Sequence, residues 1–491
     1  MGSWRTERTL KPVSDFEQTP DAPVSAQNQG PDRSHLVEGP IGKTLLVFAL
    51  PLLTTNFLQS LSGTWGAILV SHTLGPGALT AVVNANVFMF MMMGIVMGVA
   101  GASGIAVGQS RGAGDIQAIK QIVGTSLSFI LAVSCCIALT GWLLAPTIVH
   151  LIRMPAPSVS DAITYLRITC LTMPSIFTYI FLMMLMRGSG DAKTPFRFTL
   201  VWISLNLVLS PILLTGPFGL PKFGIAGVPL GSLLANFVAL TALIVHIYRK
   251  DLVMALKGPE LRYLKPDPAL LMMLVKRGAP MGAETLFVQG AYFVLLTIVN
   301  SHGAITAAAY SGAAQLWTFV QMPSMALAAS MSAMAAMNIG AGRWDRVEEI
   351  ALKGCLIAGS MTLFAAVLIH GLGDLPLKLF LPQGGEALAK AREINQIAIW
   401  GWIVLAVTSG LSAVVRANGA TAAPTIIYAV TMWAFRVPFA SMMQRWLGES
   451  AIWWSFPVGT ISSALLAFLF FRYGKWRDND LMLARRHRHS A

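Results

Sequence analysis

"LMRGSGDAKTP" (residues 185–195) and "VVRANGATAAP" (residues 414–424) are two versions of one phrase, and the distance between them decides the fold. Arg187 lies over Arg416, Gly190 over Gly419 and Pro195 over Pro424, each pair 229 positions apart. The same offset sets Pro51 of "ALP" over Pro280 of "GAP", and one residue further "GQSRGAGD" (108–115) meets "NIGAGRWD" (338–345). Matches at nearly one offset mark an internal repeat about half the chain long. The chain is therefore read as two copies of one unit, joined by the basic, Pro-containing stretch "YRKDLVMALKGPELRYLKPDP" (248–268).

Composition names the solvent of that unit. Of 491 residues 55% are hydrophobic and 12% charged, with a mean hydropathy of +0.64, so lipid must cover most of the surface. The apolar runs are rich in Gly, Ala, Leu and Met and show no period-two alternation, which selects packed helices over a barrel. Twelve membrane helices are expected, near 44–71, 78–108, 119–150, 161–186, 195–215, 223–248, 271–300, 305–339, 348–380, 394–416, 425–446 and 450–472. The fold class is all-α integral membrane: two parallel-repeat six-helix bundles around a central cleft.

Five segments follow: a disordered tail over 1–40, an amino-terminal bundle over 41–248, a basic linker over 249–268, a carboxy-terminal bundle over 269–475 and a basic tail over 476–491. The tail "SDFEQTPDAPVSAQNQGPDRS" lacks the apolar core of a signal peptide. Lys and Arg crowd one set of loops, including Arg111, Lys120, Arg187, Arg197, the 249–277 stretch, Arg343, Arg416 and the final "RRHRH". The opposite loops hold Arg153, Lys222, Lys378, Lys390, Arg392 and Arg445. By the positive-inside rule both termini are cytoplasmic, and a net charge of +13 is met by the anionic inner leaflet, not by nucleic acid.

The four cysteines fall in expected spans without metal-ligand spacing, so they read as small buried thiols with no disulfide and no metal. The run "MFMMMGIVMG" (89–98) is core packing, or a deformable cavity wall. No phosphate-binding loop of the Gly-x-x-x-x-Gly-Lys-Ser/Thr kind occurs, and no nucleophile-base set recurs, so neither ATP coupling within this chain nor enzyme chemistry is expected. No cofactor is expected beyond a coupling H+ or Na+.

"ALPLLTTNFLQSLSGTWGAILVSHTLG" (49–75), "LMRGSGDAKTP", "LNLVLSPILLTGPFGLPKFGIAGVPLGS" (205–232) and "MNIGAGRWDR" (337–346) together resemble the multidrug and toxic-compound extrusion (MATE) family over about residues 40–475. The resemblance implies two six-helix bundles and a secondary antiporter of bacterial cytoplasmic membranes. Such a protein exports amphipathic organic, often cationic, compounds in exchange for H+ or Na+. It also implies acids that this chain lacks. Bacterial members usually carry an Asp fifteen residues after the first-helix Pro, where Gly66 stands here. Related members pair it with a fifth-helix Asn and Asp, where this chain has Asn206 and Ser210.

Glu284 in "GAPMGAETLFVQGAY" (278–292) is then the ion-coupling candidate, with an interfacial, helix-capping carboxylate as the alternative. Thr55, Asn56, Gln59, Asn206, Ser210, Gln289 and Arg436 are candidates for lining a substrate cavity, and His72 for accepting a proton. An intramembrane Arg436 must face a polar interior or an acid. Arg187 and Arg416 are taken as structural, and Gly63 with Gly66 as a small-residue face for close packing or bending. Two other functions stay open: a flippase for lipid-linked saccharides, and a transport-inactive ligand-binding membrane protein. The expected partners are small organic substrates and membrane lipid, with the chain a monomer.

Overall fold

The computed structural model describes residues 33–74, 76–151, 159–216, 222–381 and 384–478. The tail read over 1–40 is therefore described only in its last residues, and the closing basic tail only to Asp478. The described chain is a multi-pass assembly of helices. The membrane helices are α1 (Ile41–Leu74), α2 (Pro76–Ala113), α3 (Ile116–Leu151), α4 (Val159–Gly188), α5 (Lys193–Thr215) and α6 (Gly227–Arg249) in the first half. The second half has α7 (Pro268–Ser301), α8 (Ala304–Gly340), α9 (Trp344–Gly371), α10 (Gly385–Ala398 and Gly401–Ala417), α11 (Ala422–Leu447) and α12 (Ser450–Tyr473). Eleven of these are long and apolar enough to cross a bilayer alone, and α10, bent by 44°, makes the twelfth.

The repeat is reproduced in the backbone. α4 ends at Gly188 and α10 at Ala417, and α5 starts at Lys193 and α11 at Ala422, each pair at the offset read from the sequence. Between them Gly190 (φ 92°) and Gly419 (φ 87°) take the same left-handed conformation, which a side chain would strain. The bend of α10 replaces the single helix expected over 394–416. Its lower piece starts at Gly401, where a Cβ would come within 2.7 Å of the Phe456 ring, so glycine there lets α12 close against α10. α11 is also irregular: residues Thr431–Arg436 form a π-helical turn, a widening that often accompanies function. The helix expected over 348–380 stops at Gly371 and resumes only as Leu375–Lys378.

The two halves touch through glycine. A Cβ on Gly98 of α2 would lie 2.3 Å from the carbonyl oxygen of Gly278 on α7. One on Gly112 would lie 1.9 Å from the Met337 carbonyl oxygen, and one on Gly340 of α8 1.9 Å from that of Gln109. Gln109 Nε2 also donates to the Ala417 carbonyl across the seam, at 2.7 Å. Phe57 and Phe319 meet edge-on at 6.1 Å between α1 and α8. The glycine and Gln109 contacts lie toward the Arg-rich side of the molecule, and the Phe57–Phe319 contact lies at mid-helix. Beyond them, on the second half of α1, a Cβ on Gly63 or Gly66 meets nothing within 4 Å among the described residues.

Short elements seal the basic face. A helix at Arg33–Glu38 buries Leu36 and Val37, and Asn338 Nδ2 donates to the Leu36 carbonyl at 3.0 Å while Arg346 Nη2 donates to that of Gly39 at 2.6 Å. Residues 33–40, expected as part of a disordered tail, are ordered and packed, because Leu36 and Val37 find an apolar seat against α8. The linker is ordered too: a 3-10 turn at Gly258–Leu264 lies along α3, held by the Lys120–Glu260 ion pair and by Ser128 Oγ donating to the Leu264 carbonyl at 2.6 Å.

Candidate functional site

Glu284 lies sixteen residues after the start of α7, at the level where α10 ends. Both its carboxylate oxygens accept from Arg416 Nη1, each at 2.8 Å, and each side chain is 17% exposed. Thr425 Oγ1 on α11 stands 3.5 Å from Glu284 Oε2 and donates to the Pro280 carbonyl at 2.9 Å. About two turns before Glu284 on α7, Arg277 Nη1 donates to the carbonyl of Gly419 at 2.7 Å. α7, α10 and α11 are thereby stitched around one half-buried ion pair. Charge-assisted bonds of this kind are strong and costly to half-remove in a low-dielectric setting.

Arg416, taken as structural in the sequence reading, is the ion-pair partner of Glu284. The signal available was the need of an intramembrane acid for a cation. The repeat adds an asymmetry: Glu284 is equivalent to Thr55, and Arg416 to Arg187. Thr55 is buried and donates to the Pro51 carbonyl of its own helix at 2.7 Å, and Arg187 Nε has no hydrogen-bond partner among the described residues. The first half therefore keeps the arginine but has no carboxylate at the position equivalent to Glu284.

The other candidates separate. Asn56 is half-buried and Gln59 and Gln289 are exposed, near the middle of α1 and in the second half of α7. Ser210 is buried and donates to Asn206 Oδ1 at 2.6 Å, but it lies on the α5–α6 seam, where a Cβ on Gly231 would come within 2.8 Å of its Cα. His72 is exposed at the end of α1. Arg436 is 3% exposed, yet no acid pairs with it among the described residues. Its guanidinium lies over the rings of Tyr292 at 5.0 Å and Phe456 at 4.9 Å, and Nη1 donates to the sulfur of Met432 at 3.7 Å. Aromatic faces thus take the place of the polar interior or acid expected for it.

Two further expectations change. Gly63 and Gly66 do not form a packing face, since nothing lies near enough for them to pack against. Cys135 and Cys136 are exposed on α3, whereas Cys170 and Cys355 are buried, and all four are free thiols. Among the described residues no three His, Cys, Asp or Glu side chains come together in a way that could hold a metal ion.

A two-halved, all-helical, multi-pass membrane protein, closed on its basic face around a half-buried ion pair, is the class that fold and site define. Comparison with known proteins gives the family. The MatE family model matches residues 51–212 and 280–442, one match per half, and the chain belongs to that family. Among its relatives is the "Probable multidrug resistance protein YoeA" of Bacillus subtilis, 29% identical over 447 residues, covering 90% of this chain and 95% of the relative. The "Probable multidrug resistance protein NorM" of Thermotoga maritima is 21% identical, covering 91% and 95%. A crystal structure described as MATE in complex with MaL6 superposes with a TM-score of 0.83 at 20% identity, covering 89% of this chain and 97% of that one, a likeness of fold.

Proposed function

We propose that this protein is a secondary active exporter, not an enzyme. It moves amphipathic organic compounds, cations among them, out across a bacterial cytoplasmic membrane against an inward flow of H+ or Na+. A single chain is the transporting unit, with both termini cytoplasmic. The observation that carries the coupling is the Glu284–Arg416 pair, a carboxylate well inside α7 and bonded to the end of α10. Its multidrug character is inferred from the names of the relatives.

The cycle follows from the charge of one group. With the halves parted on the far side, a proton reaching Glu284 neutralises the carboxylate and removes the attraction that ties α7 to α10. The seam on the basic face then loosens, the proton leaves inward, and substrate enters. Na+ would act differently, sharing the carboxylate oxygens and Thr425 Oγ1 with Arg416. Neutral oxygens such as Asn206 and Ser210 carry no proton, so they bear on shape and hydrogen bonding only.

Liposome flux of a fluorescent organic cation under separately imposed H+ and Na+ gradients tests this. Efflux should follow one gradient and lose that dependence in Glu284→Gln. Flux under neither gradient sinks the exporter reading, and unchanged coupling in the variant excludes Glu284.

A further inference from the structure

We propose that the basic face of the second half carries a binding site for an anionic phospholipid. A cavity of about 710 Å³ opens between the first turns of α7, the α10–α11 turn and α12. Lys276 and Arg277 stand on one wall, and Met272, Met273, Ile426 and Phe470 form an apolar slot beside them. A cationic rim joined to an apolar slot matches a molecule with an anionic head and an acyl chain. A basic pocket between helices on the cytoplasmic side is where such headgroups bind.

Neither cation is spent on an acid. Lys276 is exposed and makes no ion pair among the described residues, and Arg277 uses Nη1 on the Gly419 carbonyl, leaving the rest of its guanidinium without an acid. The α10–α11 turn that floors the cavity presents the start of α11, where no side chain caps the helix. The repeat shows what this turn accepts. In the first half Asp191 Oδ1 takes the backbone N–H groups of Lys193 at 3.0 Å and Thr194 at 2.9 Å. The residue equivalent to Asp191 is Ala420, which lines the cavity and brings no carboxylate. A phosphodiester there would supply the missing anion to Lys276, Arg277 and the turn, with its acyl chain along Met272 and Phe470.

The site lies beside the coupling pair. Arg277 is seven residues before Glu284 on α7, about 10 Å along a helix, and it bonds the turn that follows Arg416. Occupancy would brace α7 against α11 from below, so this lipid belongs to the closed basic face. Binding needs no transport, and can be read apart from the exporter function.

The test is lipid retention by the full-length protein in detergent, followed by native mass spectrometry with phosphatidylglycerol, phosphatidylcholine and inorganic phosphate as probes. Phosphatidylglycerol should be retained over phosphatidylcholine. Lys276→Gln should weaken it by about fivefold, the worth of one near-surface cation. Ala423→Phe, which fills the slot while keeping both cations, should weaken it as well. Equal retention of both lipids overturns the proposal, as does unchanged affinity in both variants. Full displacement by millimolar phosphate also overturns it, because a headgroup-only site would not need the slot. Unchanged flux beside lost retention leaves the lipid site standing; lost flux with normal retention counts against the exporter reading alone.

Discussion

Glu284 and Arg416 form a pair whose halves are costly to separate. Removing only the acid leaves a guanidinium buried against α7, so Glu284→Ala should lower unfolding stability by about 3 kcal/mol. Replacing both partners, as in Glu284→Ala with Arg416→Met, should recover much of that loss, and thermal unfolding of the purified single and double variants measures the coupling. An additive double variant would show that the two side chains do not depend on each other. Glu284 was legible as the one candidate acid, but its partner was not, for a geometric reason. Depth judged from helix ends puts Arg416 at the membrane edge and Glu284 well inside. α7 in fact starts far below the level at which α10 stops, so the two meet.

Elements were legible in proportion to how local their causes are. Helix starts and stops around the repeat motif follow from Gly190, Pro195, Gly419 and Pro424, which act on their own backbone. The bend in α10 and the π turn in α11 depend on Phe456 and on the packing of Arg436, partners distant in sequence, and no local signal announces them. The α2–α7 crossing gives a prediction at this scale. Gly98→Ala would drive a methyl into the Gly278 carbonyl, and backbone cannot rotate aside. The helices must separate, so a cysteine placed at Gly94 should become several-fold more reactive toward a thiol reagent from the basic side. Unchanged reactivity would mean the crossing yields elsewhere.

The linker behaves as an element as well. Its Glu260 carboxyl is held below the usual carboxylate range, first by its hydrogen bond from Lys120 and further by the backbone N–H of Lys257. A depressed pKa contributes stability above the unfolded value of about 4.3, and that contribution is lost as pH falls through the folded value. Residues 251–267 should therefore gain hydrogen exchange below about pH 4. In Glu260→Gln the same exchange should be present at neutral pH, and equal protection in the two proteins would contradict the tether.

For the whole molecule, the relation between halves is the quantity of interest. The repeat made the two-bundle plan readable, while the side on which the bundles meet was not, because it depends on backbone-to-backbone approaches such as Gly112 to Met337. If the halves part away from the basic face, Gly66→Cys should react quickly with a membrane-impermeant maleimide applied from that side in membrane vesicles. Slow labelling there, with fast labelling at Gly94→Cys from the opposite side, would mean that the resting protein has the reverse opening.

The seat of the Arg33–Glu38 helix has a consequence for how the chain is made. Leu36 is bonded by Asn338, 302 residues later, so the ribosome must add all of those residues before this helix can make that bond, although Leu36 meets Gly190 of the first half much earlier. At cellular synthesis rates that interval is about 15 to 60 s. During it Leu36 has only first-half neighbours such as Gly190 and Ile105 to pack against, and the α8 side of its seat is completed later. A pulse-chase of protease resistance at residues 33–40 should show partial protection from the first half and a further rise once α8 has emerged.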